Sequence, residues 1–200
     1  MLKVSTKLSS LVLAATLITP FAVQAESTTV SGAGALSTSA RVDFSIIIPR
    51  ILFLRVGTTG ATIDPITFTV PAANVGNGVA QAGTGGDLGA GAVSAIVQGN
   101  AGNATLSVST VGAIQSGANS INYTQIVTTP TALPGFPTLL NAPALANGPG
   151  GTVELVAVGN IVSSGATWTY SYSNSNVVAS GTYGGVNTQN SRVTYTVTAP

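Results

Sequence analysis

Glu26, Asp43, Asp64, Asp87 and Glu154 are the only carboxylates of this 200-residue sequence, and any acid–base chemistry has to come from them. There is no histidine to serve as a general base near neutral pH and no cysteine to serve as a thiolate nucleophile or metal ligand. A serine nucleophile needs a base beside it, and past Lys3 and Lys7 only a carboxylate could act as one. A glycosidase-type carboxylate pair is the one catalytic arrangement left, because residues distant in sequence can meet in space. The settings of these residues argue against it. Glu26 lies in a leader, Asp43 and Glu154 fall within strand-like runs, and Asp64 directly precedes Pro65 at a turn. The expectation is a protein that is not an enzyme.

Gly83, Gly85 and Gly89 around Asp87 bring a nucleotide-binding loop to mind, but Leu88 stands where the third glycine of that pattern belongs and no helical period follows. Asp87 alone is also far short of the several oxygen ligands that calcium requires. Neither a metal nor a cofactor is expected. Trp168, Tyr170 and Tyr172 alternate with Thr167, Thr169 and Ser171. Such a face is either a sugar-stacking platform or, more commonly on a strand, the side turned to the core. Arg50 and Arg55 bracket the apolar run Ile51 to Leu54 and read as charges that guard a strand edge.

The start of the chain reads as an address. Lys3 and Lys7 precede a short apolar run from Leu11 to Ile18, Thr19 and Pro20 break it, and Val23 and Ala25 supply the small residues of a cleavage site. This predicts a Sec-type signal peptide over residues 1–25, export to the periplasm, cell surface or medium, and no transmembrane segment in the mature chain. Without a cysteine at the junction a lipid anchor is not expected. Removing both lysines leaves four arginines against five carboxylates, four minus five, a net charge of about −1. Four dispersed arginines make no phosphate-binding face, so no nucleic-acid partner is expected. Charged residues are 6% of the sequence, against about a quarter in ordinary soluble proteins. A surface that polar yet that uncharged is weakly protected from association.

The mature chain lacks any sustained helical period. Residues 26–40 carry Val30, Gly32, Gly34 and Leu36 on one alternating face and form either an extended strand suited to strand addition or a disordered leader. Residues 41–200 are expected to form the folded domain. Its first block, RVDFSIIIPRILFLRVG from Arg41 to Gly57, alternates through Val42, Phe44, Ile46 and Ile48 before Pro49, and reads as two strands or one broken edge strand whose apolar residues anchor the core. Ile66, Phe68 and Val70 mark another strand. Ala72 to Gly91 is expected to be a long surface loop, and Val93–Gln98 with Ala104–Thr110 a hairpin around a Gly/Asn turn. Ile121–Ile126 is a weaker strand, and the five prolines from Pro130 to Pro149 exclude a continuous helix there. Further strands are expected at Thr152–Val158, around Trp168, and at Val193, Tyr195 and Val197. Gly181, Thr182 and Tyr183 suggest a corner whose tyrosine hydroxyl ties back to backbone. Eight to eleven short strands on this pattern predict an all-β, antiparallel Ig-like or fimbrial-type β-sandwich, ahead of a closed barrel.

The blocks RVDFSIIIPRILFLRVG, VPAANVGNG and WTYSYSNSNVVASGTYGG, with RVTYTV near the end, resemble a group of uncharacterised secreted β-sandwich proteins of Gram-negative bacteria. More loosely, the signal peptide, the alternating leader and the GTY segment before a terminal strand are similar to fimbrial subunits of the chaperone-usher type. The resemblance implies a non-catalytic structural or adhesive subunit at the cell surface that assembles with itself or with related subunits through a strand-addition edge. The alternative is a secreted carbohydrate- or ligand-binding module, which requires an exposed Trp168.

Overall fold

The computed structural model describes residues 27–200, so the expected signal peptide and Glu26 lie outside the described residues. The chain divides between Ile48 and Pro49, later than the Arg41 start expected for the folded domain.

Within Pro49–Pro200 the chain is all-β and, apart from the short β9, antiparallel, with twelve strands among the described residues. They are β1 Leu52–Val56, β2 Ile66–Phe68, β3 Gln81–Gly85, β4 Ala92–Gly99, β5 Ala104–Thr110, β6 Ile114–Ser116, β7 Asn119–Ile121, β8 Ile126–Ala132, β9 Thr138–Leu139, β10 Pro149–Leu155, β11 Val162–Tyr172 and β12 Val193–Thr198. The long β11 is the spine of the larger sheet. One edge pairs with β4 through residues 162–169 and with β3 through 171–172, and the other with β8 and, in parallel, with β9. β1 flanks β4, and β2 flanks β3. The smaller of the two main sheets runs β10-β5-β12, and β6 and β7 form a separate two-stranded ribbon. Pro130 sits in β8, which pairs only with β11 and so carries a residue without an amide donor at no cost to a second ladder.

The two sheets close on one core, to which β4 contributes Val93, Ala95 and Val97, β5 Ala104, Leu106 and Val108, and β11 Val162, Ala166, Trp168 and Tyr170. The sandwich expected from the strand pattern is the fold observed. Trp168 is fully buried, donates its indole N–H to the Leu140 carbonyl at 2.8 Å, and packs against Tyr195 of the facing sheet with ring centroids 5.1 Å apart. Tyr183 donates its hydroxyl to the Ala179 carbonyl at 2.8 Å, the tie expected for that corner.

Four expectations need correction. β4 and β5 do not form a hairpin. Both edges of β4 are taken, by β1 and β11, so the Asn100–Asn103 connection carries the chain across to the opposite sheet instead. The glycine-rich stretch after Ala72 is not wholly a loop, since β3 lies inside it. A Cβ on Gly83 would stand 2.8 Å from Ile66 Cγ2 and 3.1 Å from Gly91 Cα, so this strand exists through close backbone approach rather than through side-chain alternation. Ile121–Ile126 is not one strand. β7 ends at Ile121, Tyr123–Gln125 form a single 3-10 turn, and β8 starts at Ile126. Finally, of the Arg41–Gly57 block only Leu52–Val56 is a strand, and of its apolar residues Leu54 and Val56 pack against the core whereas Val42, Phe44, Ile46 and Ile48 do not.

Candidate functional site

Each folded carboxylate is engaged in holding a local turn or strand. Asp64 accepts the Thr58 amide at 2.6 Å and the Thr58 hydroxyl at 3.0 Å, closing the loop after β1. Asp87 accepts the Ser94 amide at 2.8 Å and the Ser94 hydroxyl at 2.5 Å, which fixes the turn between β3 and β4. That turn is built on left-handed glycines. A Cβ on Gly86 would fall 2.0 Å from the Ala92 carbonyl oxygen, so the glycines serve the turn, with the Asp87 carboxylate folded back onto Ser94. Glu154 accepts the Thr105 hydroxyl at 3.1 Å across the β10–β5 ladder, and Asp43 is exposed. Among the described residues no three acidic, histidine or cysteine side chains gather as a metal would require, and no helix is long and apolar enough to cross a membrane.

The aromatic face of β11 is turned inward, with Trp168, Tyr170 and Tyr172 at 0%, 8% and 4% exposure. Tyr170 and Tyr123 are in surroundings that penalise a phenolate. Burial pushes each hydroxyl up to about 12, with the nearby Tyr195 adding to the shift at Tyr123 and its hydrogen bond opposing it at Tyr170. Burial also holds Tyr195 well above the usual phenol range, with Tyr170 beside it adding to the effect. These groups are structural and lie inside the sandwich.

The open side of the sandwich offers more. Among the described residues β1 pairs only with β4, and β12 only with β5, so each sheet ends here on an unpaired strand edge. Between them runs a groove of about 340 Å³ lined by Leu54 and Val56 of β1 and Val193, Thr194 and Tyr195 of β12. Arg50, ahead of β1, donates to the carbonyl oxygen of Pro200 beyond β12, so the two strands run in opposite directions along the groove. Arg55 turns away from it. Its guanidinium reaches the Ser94 hydroxyl at 3.5 Å on the outer face of the sheet, beside a shallow hollow of about 260 Å³ whose lining includes Phe53, Thr58 and Thr62 and no carboxylate.

The leader presents two distinct stretches. Thr28 and Thr38 meet through their hydroxyls at 2.5 Å, and the Thr38 hydroxyl donates to the Thr28 carbonyl at 2.9 Å. The chain therefore bends back at Ala33 and Gly34, and Ser27–Leu36 is not a continuous extended strand. Val42 to Ile48 is unpaired and exposed, Phe44 by 88%, Ile46 by 82% and Ile47 by 92%. Every such side chain left in water forgoes about 1.5–3 kcal/mol of burial. The alternation was legible in the sequence, but it does not belong to the core to which it was ascribed. The groove was not legible, because its walls come from strands at the two ends of the folded unit.

No protein-family model matches the chain, and neither curated proteins nor solved structures show a match to it.

Proposed function

We propose that the protein is a non-catalytic, exported surface protein that serves as a structural or adhesive, fimbria-like subunit, assembling with copies of itself or with related subunits by strand addition. The observation that carries this reading is the exposed apolar run from Val42 to Ile48, in a chain whose folded unit ends on two unpaired sheet edges. A run of that kind is uncommon on a protein that works alone, and an open edge is a template for a further strand. The scarcity of surface charge supports it, since little repulsion opposes close packing of copies. The carbohydrate-binding alternative rests on an aromatic platform, and burial of Trp168, Tyr170 and Tyr172 leaves β11 without one.

The test is the association state and location of the native protein. Light scattering behind a sizing column, run over a wide concentration range, should show oligomers that grow with concentration, and cell fractionation should place the protein outside the cytoplasm. A monomer at every concentration would sink the reading.

A further inference from the structure

We propose that the hollow on the outer face of β1 binds a small carboxylate carried on a ring, with the acid group on Arg55 and the ring laid against Phe53. This goes beyond the subunit reading and holds whether or not the protein assembles.

The alternation of β1 brings the two residues together. Leu54 and Val56 pack against the core, so Phe53 and Arg55 share the opposite face. Two positions apart on a strand, they are separated by roughly 6–7 Å, a span that one ring and its acid group can cover. The loop after β1 adds Thr58, Thr59 and Thr62 to the same hollow. Phe53 is 44% exposed, so its ring is available for stacking instead of being committed to the core.

Arg55 is a half-buried cation without a counter-ion. Among the described residues its hydrogen bonding amounts to the contact with the Ser94 hydroxyl, which at 3.5 Å is at the limit of length. Its Nε is enclosed by protein and has no partner. Ser94 does not replace a carboxylate, because its own proton goes to Asp87 at 2.5 Å. Arg50, by contrast, is engaged by the Pro200 carbonyl. A guanidinium partly withdrawn from water with most of its donors unused is costly until an anion completes it.

The surroundings narrow the choice of anion. Asp64 is bonded through both oxygens to Thr58, and Asp87 through both oxygens to Ser94, so neither is turned to Arg55. Their charges disfavour a doubly charged phosphate, whereas a single carboxylate matches the planar fork of the guanidinium. At about 260 Å³ the hollow is smaller than the roughly 300–1,000 Å³ of sites for drug-sized ligands, so it suits one ring and not an extended chain. The Thr59 and Thr62 hydroxyls bond no other described residue and can meet polar groups on that ring. Aromatic acids and sugar acids both offer this chemistry.

Benzoate and glucuronate are the probes, with benzamide, methyl glucoside and inorganic phosphate as controls, each titrated into the exported protein and followed by its amide NMR spectrum. At least one of the two acids should shift the amides of Thr58–Thr62 and saturate, and the one that binds more tightly identifies the source as an aromatic or a sugar acid. The uncharged analogues and phosphate should bind at least about tenfold more weakly, the worth of one charge-assisted hydrogen bond. Arg55→Gln should weaken the acid by a similar factor and Phe53→Ala should weaken it too, with circular dichroism and Trp168 emission unchanged. Should Arg55→Gln fail to fold, the wild-type shifts and the comparison of acid with amide still decide. Saturable shifts confined to other residues, equal binding of acid and uncharged analogue, tighter binding of phosphate, equal binding by a folded Arg55→Gln, or no response to either acid would each overturn the proposal. None of these outcomes bears on the oligomers that test the subunit reading.

Discussion

The hydroxyls of Tyr170 and Tyr195 meet at 3.0 Å across the interior, one carried by the central strand of the larger sheet and the other by an edge strand of the smaller one. The pair joins the two layers with a polar contact inside a core built mainly of apolar side chains, and the two hydroxyls satisfy each other. Tyr195 also forms part of the groove wall, so this contact links the core to the edge at which strand addition is proposed.

Alkaline pH should unfold the protein through these phenols. Tyr123 and Tyr170 release their protons near 12 when folded, against the ordinary 10, and Tyr195 is raised as well. The folded state thus holds protons that the unfolded state has shed, so the stabilising contribution is complete below about pH 10 and is lost as pH rises toward 12. Absorbance at the phenolate band should show Tyr123 and Tyr170 still largely neutral at about pH 11, and Tyr195 ionising later than an ordinary tyrosine. Circular dichroism should show loss of the fold in the same window in which they ionise. Ionisation of all the tyrosines with the ordinary midpoint, while the fold persists, would contradict their burial.

Trp168→Ala should cost about 3–5 kcal/mol, the range for removing a large buried aromatic. The side chain is fully buried, and its truncation also leaves the Leu140 carbonyl without its donor. Because Trp168 is the sole tryptophan, wild-type emission reports on this site alone and should be blue-shifted from that of the free amino acid. Stability of the variant is then read from urea melts followed by circular dichroism.

The period-2 runs named β11 and β12 correctly, because a strand half-covered on one face must alternate, and Trp168 through Tyr172 do so without interruption. The same rule misplaced Val42, Phe44, Ile46 and Ile48. Alternation marks one face as apolar but does not guarantee that the folded unit covers it, and here all four side chains are exposed. β3 escaped notice for the opposite reason. Its pairing rests on Gly83 lying against Gly91, which leaves no side-chain period to read. The hairpin expected between β4 and β5 failed because sequence proximity favours pairing only where an edge is free, and β11, far downstream, occupies the edge that β5 would need. Of the candidate site, the apolar segment was visible and the groove was not, since Leu54 and Tyr195 are brought together only by closure of the sandwich.

Asn174 gave no signal in its polar surroundings, yet it is buried and fully engaged. Its side-chain amide donates to the Asn74 carbonyl at 2.6 Å and to Asn77 Oδ1 at 3.2 Å, and its oxygen accepts the Gly76 amide at 3.0 Å. Its backbone has a φ of 51°, which asparagine tolerates better than most residues. Asn174→Gly keeps the backbone and loses the bonds, and should cost about 1–3 kcal/mol. Asn174→Ala loses both and should cost more. Equal effects in thermal melts would show that the backbone conformation contributes nothing.

Gly165 stands in the middle of β11 with the ring of Phe136 laid over it. A Cβ placed there would come within 2.5 Å of Phe136 Cδ2 and Cγ, closer than any real contact. The strand cannot yield, because Gly165 is paired with Ile96 of β4 on one edge and with Leu139 of β9 on the other. The ring has to move, and with it the loop that follows β8. Gly165→Ala should therefore cost about 1–3 kcal/mol, the usual penalty of overpacking. Phe136→Ala removes the obstacle while uncovering the backbone of the central strand, so it is destabilising in its own right. Combined, the two substitutions should cost less than the sum of the single effects by about 0.5–3 kcal/mol, the range found for residues in direct contact. Strict additivity in urea melts of the four proteins would mean that Phe136 does not rest on Gly165 in solution. In that case the cover over the outer face of β11 would have to come from elsewhere.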